Sequence, residues 1–172
     1  MLFNSDDEVF NHLKGIISLS NGGVVIENID RLKTQGIDTL VENSVLNASS
    51  QIRGLSRFII KSSALEMGIV SSSIQGLYDA RGRDECGGFT VPAINIRGMS
   101  YDFSRSIFRT AQKLNTGSFI FEIAKSEIGY TFQQPHEIVG VILGAAIREN
   151  HTGPVFIQGD HFQVNANNFH IN

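Results

Sequence analysis

Asp160 and His161 stand side by side just after an apolar run, Val155 to Ile157, that closes with Gln158 and Gly159. An acid next to an imidazole offers two kinds of chemistry. Neutral imidazole is a common metal ligand, and a neighbouring carboxylate serves as a proton donor or acceptor. On adjacent strand positions the two side chains would point to opposite faces, but beyond a strand end that constraint relaxes. The plainer alternative is that Asp160 caps a following helix and His161 is a polar loop residue. The remaining histidines stand apart from this pair. His12 and His136 fall in helical stretches, His151 in a turn and His170 near the end of the sequence. None has metal-ligand spacing to another His or to Cys86.

Two further polar positions close apolar segments in the same way. Asn95 ends "FTVPAIN" (89–95), and Glu122 to Ser126 end "SFIFEIA" (118–124). Between these segments lies "SYDFSRSIFRTAQKLN" (100–115), with Phe103, Ile107, Phe108, Ala111 and Leu114 on one helical face. A second helix is predicted from Pro135, a residue suited to a first helical turn, through Ile138, Val139, Ile142, Ala146 and Ile147. "GPVFIQG" (153–159) is the third strand. Strand, helix, strand, helix, strand predicts parallel βαβ units, with strands starting about 30 to 35 residues apart. Short continuous apolar runs suit strands buried on both faces. In such sheets ligands bind beyond the carboxyl ends of the strands. Asn95, the 122–126 stretch, Asp160 and His161 would then share one rim.

Residues 1 to about 85 read as mainly helical. Ser5 and Glu8 form a capping box, with Val9, Phe10, Leu13, Ile16 and Ile17 on the face that follows, up to a stop at Asn21-Gly22-Gly23. Further helices are predicted over 24–46 with a break at Gly36, over 50–67, and near 72–84. Ile52, Leu55, Phe58 and Ile59 face inward in the third, and Ile74, Leu77 and Tyr78 mark the fourth. Val24 to Ile26 could equally be a short strand. This half carries no catalytic constellation and reads as a helical cap or packing layer.

Composition narrows the class. Of 172 residues, 41% are hydrophobic and 18% charged, enough apolar content for a real core. A net charge of −3 provides no electrostatic reason to expect a nucleic-acid partner. No apolar run approaches the roughly 20 residues of a membrane span, so no membrane association is expected. The single cysteine, Cys86, excludes an internal disulfide and fits a reducing compartment. The acidic start "MLFNSDDEVF" is unlike a secretory signal. The expectation is a soluble cytoplasmic protein.

Taken in order, "GGFTVPAINIRG", "SFIFEIAKSEIG" and "GPVFIQGDHFQ" resemble the opening of the class II ketose-bisphosphate aldolases, the fructose- and tagatose-bisphosphate type. The similarity covers roughly residues 72–165. It implies a fold: the first three β/α units of a (β/α)8 TIM barrel over 86–172, preceded by a helical N-terminal extension over 1–85. It implies an activity as well, metal-dependent aldol cleavage or condensation of a phosphorylated ketose. By resemblance His161 is a ligand to zinc or another divalent metal, Asp160 the acid/base at the substrate hydroxyl, and Asn95 a substrate contact. The sequence departs from the family where a serine is usual at the end of the second strand; Ala124 stands there, followed by Lys125 and Ser126. Further ligands, glycine-rich phosphate loops and five more strands would lie past Asn172. The chain therefore reads as a fragment or truncated reading frame, inactive by itself, with open edges that favour a homo-oligomer. A non-catalytic interaction or structural protein retaining an aldolase-like half-barrel is the alternative. A sugar-phosphate enzyme of another reaction type on the same rim is a third.

Overall fold

The computed structural model describes residues 1–20 and 22–163. Of the expectations above, His170 and the end of the 86–172 region lie outside them. Ser5 caps α1 (Asp6–His12), its hydroxyl accepting from the Glu8 amide at 3.3 Å. The Glu8 carboxylate reaches back to the amide of Asn4, one residue earlier than a strict capping box requires. The helix ends sooner than its apolar face suggests. Gly15 takes φ +68°, and Ile17 leaves the helical face to begin a hairpin, β1 (Ile17–Ser20) antiparallel to β2 (Gly23–Ile26). β-branched residues on both sides of a glycine turn suit strands better than a helix.

Asn28 caps α2 (Ile29–Arg31), which runs through a wide π turn (Leu32–Gly36) into α3 (Ile37–Leu46). The helical stretch therefore starts at Ile29 and not at residue 24, and Gly36 widens it without breaking it. Ser49 caps α4 (Ser50–Glu66), which buries Ile52, Ile59, Ile60 and Ala64. Phe58, expected inward, is exposed. After α4 comes an element the helical reading lacks, β3 (Ile69–Ser72), and then α5 (Gln75–Gly82), shorter than predicted.

The second half follows the predicted alternation, with a shorter first strand and one helix, α7, that the sequence reading lacks: β4 (Ala93–Asn95), α6 (Ser100–Leu114), β5 (Ile120–Ala124), α7 (Lys125–Thr131), α8 (Pro135–Arg148) and β6 (Gly153–Asp160). The four-residue run β3 and the strands β4, β5 and β6 form one parallel sheet in the order β3-β6-β5-β4. The fold is thus mixed α/β, and the described strands make an open sheet with no barrel closure. On α6, Phe108 is buried against Phe121 of β5 at a ring separation of 5.2 Å, whereas Phe103 and Leu114, assigned to the same inward face, are exposed.

α8 holds these layers together. Ile138, Val141, Ile142, Leu143, Ala145, Ala146 and Ile147 are all buried, so the helix is apolar nearly all round. Such a helix must be covered on every side. It packs against α6 and β3, and also against α3 and α4. The buried residues of both halves of the chain form one hydrophobic cluster. Among the described residues no helix is long and apolar enough to cross a membrane.

Gly144 sets the distance between α8 and α3. A Cβ built there would overlap Val41 Cγ2, and a buried valine has little rotamer freedom with which to move away. Gly144→Ala gains about 1 kcal/mol of helix propensity but over-packs the seam by about 1–3 kcal/mol. Chemical denaturation is expected to show net destabilisation on the order of 1 kcal/mol.

Candidate functional site

Alternation along the strands decides which side chains meet. Phe121 faces α6, so Ile120, Glu122 and Ala124 face the other way. Register carries that face across the sheet. Asn95 lies beside Glu122 and Glu122 beside Gln158, while Ala124 lies beside Asp160. At the amino-terminal end of this face, Ile74, Gln75 and Tyr78 stand around Ile120 and Phe156. At the carboxyl end it opens into a cleft of ≈ 430 Å³ lined by Arg97, Ser126, Glu127, Tyr130, Asp160 and His161, among others. That volume falls within the range of small-molecule sites.

The structure brings all three expected site residues together. Asn95 Nδ2 lies 3.5 Å from Asp160 Oδ2. Asp160 is the last residue of β6, and His161 takes φ +54°, in the left-handed region. That single backbone turn removes the strand's opposite-face rule, and His161 Nδ1 comes to 2.6 Å from Asp160 Oδ1. A carboxylate only accepts, so Nδ1 donates in this pair and Nε2 is the ring nitrogen turned away from it. Asp160 is three-quarters buried, whereas the imidazole is largely exposed. Gly159 belongs to the same turn, since the Phe162 ring occupies the space a Cβ would need there.

The residue that organises the rim is Glu127, which the sequence reading did not single out. It is 3% exposed. Its Oε2 accepts from the Ala124 amide at 2.8 Å and from Asn95 Nδ2 at 3.0 Å, while Oε1 lies 2.6 Å from Arg97 Nε. Arg97 Nε also donates to the Tyr130 hydroxyl at 3.1 Å. Burial alone would push the Glu127 carboxyl up. The Ala124 amide, Asn95 and Arg97 together outweigh it and hold the group below the ordinary carboxylate range. One signal was available: Glu127 stands three residues past a strand end, where a carboxylate can satisfy the first amide of a following helix. Without a Ser or Thr at position 124 the pattern is only half a capping box. On the same face Gln158 donates to the Glu122 carboxylate.

The fit to a metal ion is incomplete. Zinc takes at least three protein ligands. Among the described residues no group of three or more His, Cys, Asp and Glu is placed to hold an ion. Asp160 and His161 supply two neighbouring donor groups, and Glu127 is committed to an amide, a carboxamide and a guanidinium. His12 and His151 are far from the rim in role: each ring Nε2 meets a backbone carbonyl, of Gln35 and Pro154 respectively.

The lowered Glu127 carboxyl ties stability to pH. Its contribution is fully present above the unfolded carboxylate value of about 4.3 and is lost as pH falls through the lower folded value. Glu127→Gln is therefore expected to destabilise the chain by about 1–2 kcal/mol at neutral pH. The gap to wild type should close as the pH is taken below 4.3 and beyond. Thermal melts of both proteins across that range check the slope; a gap that stays constant with pH would mean the charge contributes nothing.

The chain matches no known protein family, no curated protein and no solved structure, so the geometry of the rim is what speaks to its chemistry.

Proposed function

We propose that the rim is an aldolase-type site for a phosphorylated ketose, with Asp160 as the proton-transfer group and Asn95 as a substrate contact. The observation that carries this reading is the convergence of Asn95, from β4, and the Asp160–His161 pair, from β6, on one strand-end rim. It is supported by the parallel alternation of β4, α6, β5, α7, α8 and β6, which places three strand ends on one rim. Soluble, cytoplasmic sugar-phosphate chemistry belongs to the same proposal.

The chemistry asks little of each residue. In cleavage, a carboxylate set against the substrate hydroxyl takes its proton as the adjacent carbon–carbon bond breaks. The bonding electrons pass to the carbonyl fragment as an enediolate, and the hydroxyl-bearing fragment leaves as an aldehyde. Asp160 has the position for that proton. Its Oδ1 is held by His161 and its Oδ2 faces Asn95, which orients the carboxylate toward the open cleft. Asn95, already donating to Glu127, has its carboxamide fixed before any ligand arrives. A divalent cation takes part in this chemistry in the family resembled, and the described residues do not complete a site for one. That shortfall also favours the second reading, a non-catalytic binding or structural protein built on the same half-barrel.

Two measurements separate these readings. In the 172-residue chain, added dihydroxyacetone phosphate is expected to shift the NMR signals of Asn95 and Asp160 more than equal inorganic phosphate does. Asp160→Asn should abolish the difference, and no shift at either residue would favour the non-catalytic reading. With fructose or tagatose bisphosphate this chain is expected to turn over no faster than buffer. In a polypeptide that supplies the remaining ligands, Asp160→Ala should lower turnover by about 100-fold or more while metal content is kept. His161→Ala should lower metal content itself. Wild-type rate and metal content in both variants would defeat the aldolase reading.

A further inference from the structure

The sheet has two unfinished sides that complement each other. Among the described residues nothing pairs with the outer side of β4 or of β3. Next to β4, Phe103 and Ile107 of α6 line an apolar groove of ≈ 790 Å³ with Ile94, Phe89 and Phe119. Next to β3 lies α4, whose Phe58 and Leu65 are exposed two turns apart on one stripe, and Val70 of β3 itself is exposed. Each side is thus a cut through the same layer: a parallel strand edge with an uncovered apolar helix outside it.

The strand order narrows what can cover them. A β/α barrel grows by adding each new strand beside the preceding one. Here the side of β6 that a following strand would take is already held by β3, through Ile69↔Gly153 to Ser72↔Phe156. Among the described residues the sheet offers free sides only on β3 and β4. It has four parallel strands, and closure takes about eight.

We propose that two copies of this chain close edge to edge, with β4 of each pairing in parallel with β3 of the other. A two-fold axis along the strands makes both junctions identical and keeps every strand parallel. Closure removes both edges, which otherwise are templates for uncontrolled association. The α4 stripe of one copy covers the α6 groove of the other. Because all strands run the same way, the two Asn95–Asp160–His161 rims open at one end of the assembly. The pairing is independent of the aldolase reading, since it follows from strand order and exposure alone.

Sedimentation equilibrium of the 172-residue chain across the micromolar range tests it. The expected result is a monomer–dimer equilibrium that stops at two copies. The Ile120 amide bonds the Pro92 carbonyl, and successive strand groups alternate sides, so the Ala93 amide points outward. Ala93→Pro therefore removes an outward donor and leaves the pairing with β5 intact; it is expected to weaken dimerisation at least about tenfold (1.4 kcal/mol) with an unchanged circular dichroism spectrum. Phe103→Glu, at an exposed helix position, should do the same and carries the test if the proline variant does not fold. A wild-type chain that stays monomeric, assemblies that grow past two copies, or a dimer indifferent to both substitutions would overturn the proposal. So would a monomer whose Ala93 amide is protected from hydrogen exchange, which would place the partner strand within the chain.

Discussion

Everything in this fold leans on α8 being covered on all sides. A helix with Ile138, Ile142, Ala146 and Ile147 buried together with Val141, Leu143 and Ala145 has no face to give to water. One side is met by the sheet and α6, the other by α3 and α4. The close approach at Gly144 belongs to the same requirement, since a second helix layer comes near enough only where one side chain is absent. The N-terminal helices therefore act as the outer wall of the helix that backs the sheet. Through it they back β3, the strand that pairs with β6, and so the sheet that carries Asp160.

The rim is pre-set by a buried charge. Glu127 ties the end of β5 to the end of β4 through Asn95 and to Arg97 just beyond it. Removing a carboxylate of this kind leaves an amide and a carboxamide in search of acceptors, which costs more than the bonds themselves contribute. Asp160 sits one strand further along the same face, within reach of the Asn95 amide. The three strand ends thus share one hydrogen-bonded seam, and the exposed imidazole of His161 is the part of it left free to meet a ligand.

Much of the second half was legible in the sequence. Apolar runs ending in Asn95, in Ala124 and in Gly159 were read as strands, and they are, within a few residues. Pro135 opens α8 as its fixed φ predicts. The residues chosen for chemistry converge because strand ends of a parallel sheet share a rim, a rule of topology that sequence order alone reveals. The first half was harder. Ile16 and Ile17 continue a helical stripe, yet Gly15 diverts them into a hairpin. "IVSS" is too short for periodicity to separate from a helix end, and only its pairing with β6 makes it a strand. Phe58, Phe103 and Leu114 lie on apolar stripes but face outward, because helical spacing marks a face without saying whether anything covers it. Glu127 was missed since its role depends on a neighbour thirty-two positions away, Asn95.

The place of β3 has a bearing on how the chain is made. It leaves the ribosome before β4, β5 and β6, yet its partner is the last strand of the described residues. Contacts this distant in sequence form late, because the intervening loop must be ordered first. During synthesis β3 therefore waits unpaired, while α4 already has α3 to pack against. Until Gly153 to Phe156 are made, β3 has no strand beside it, and the sheet on this side is completed last among the described strands.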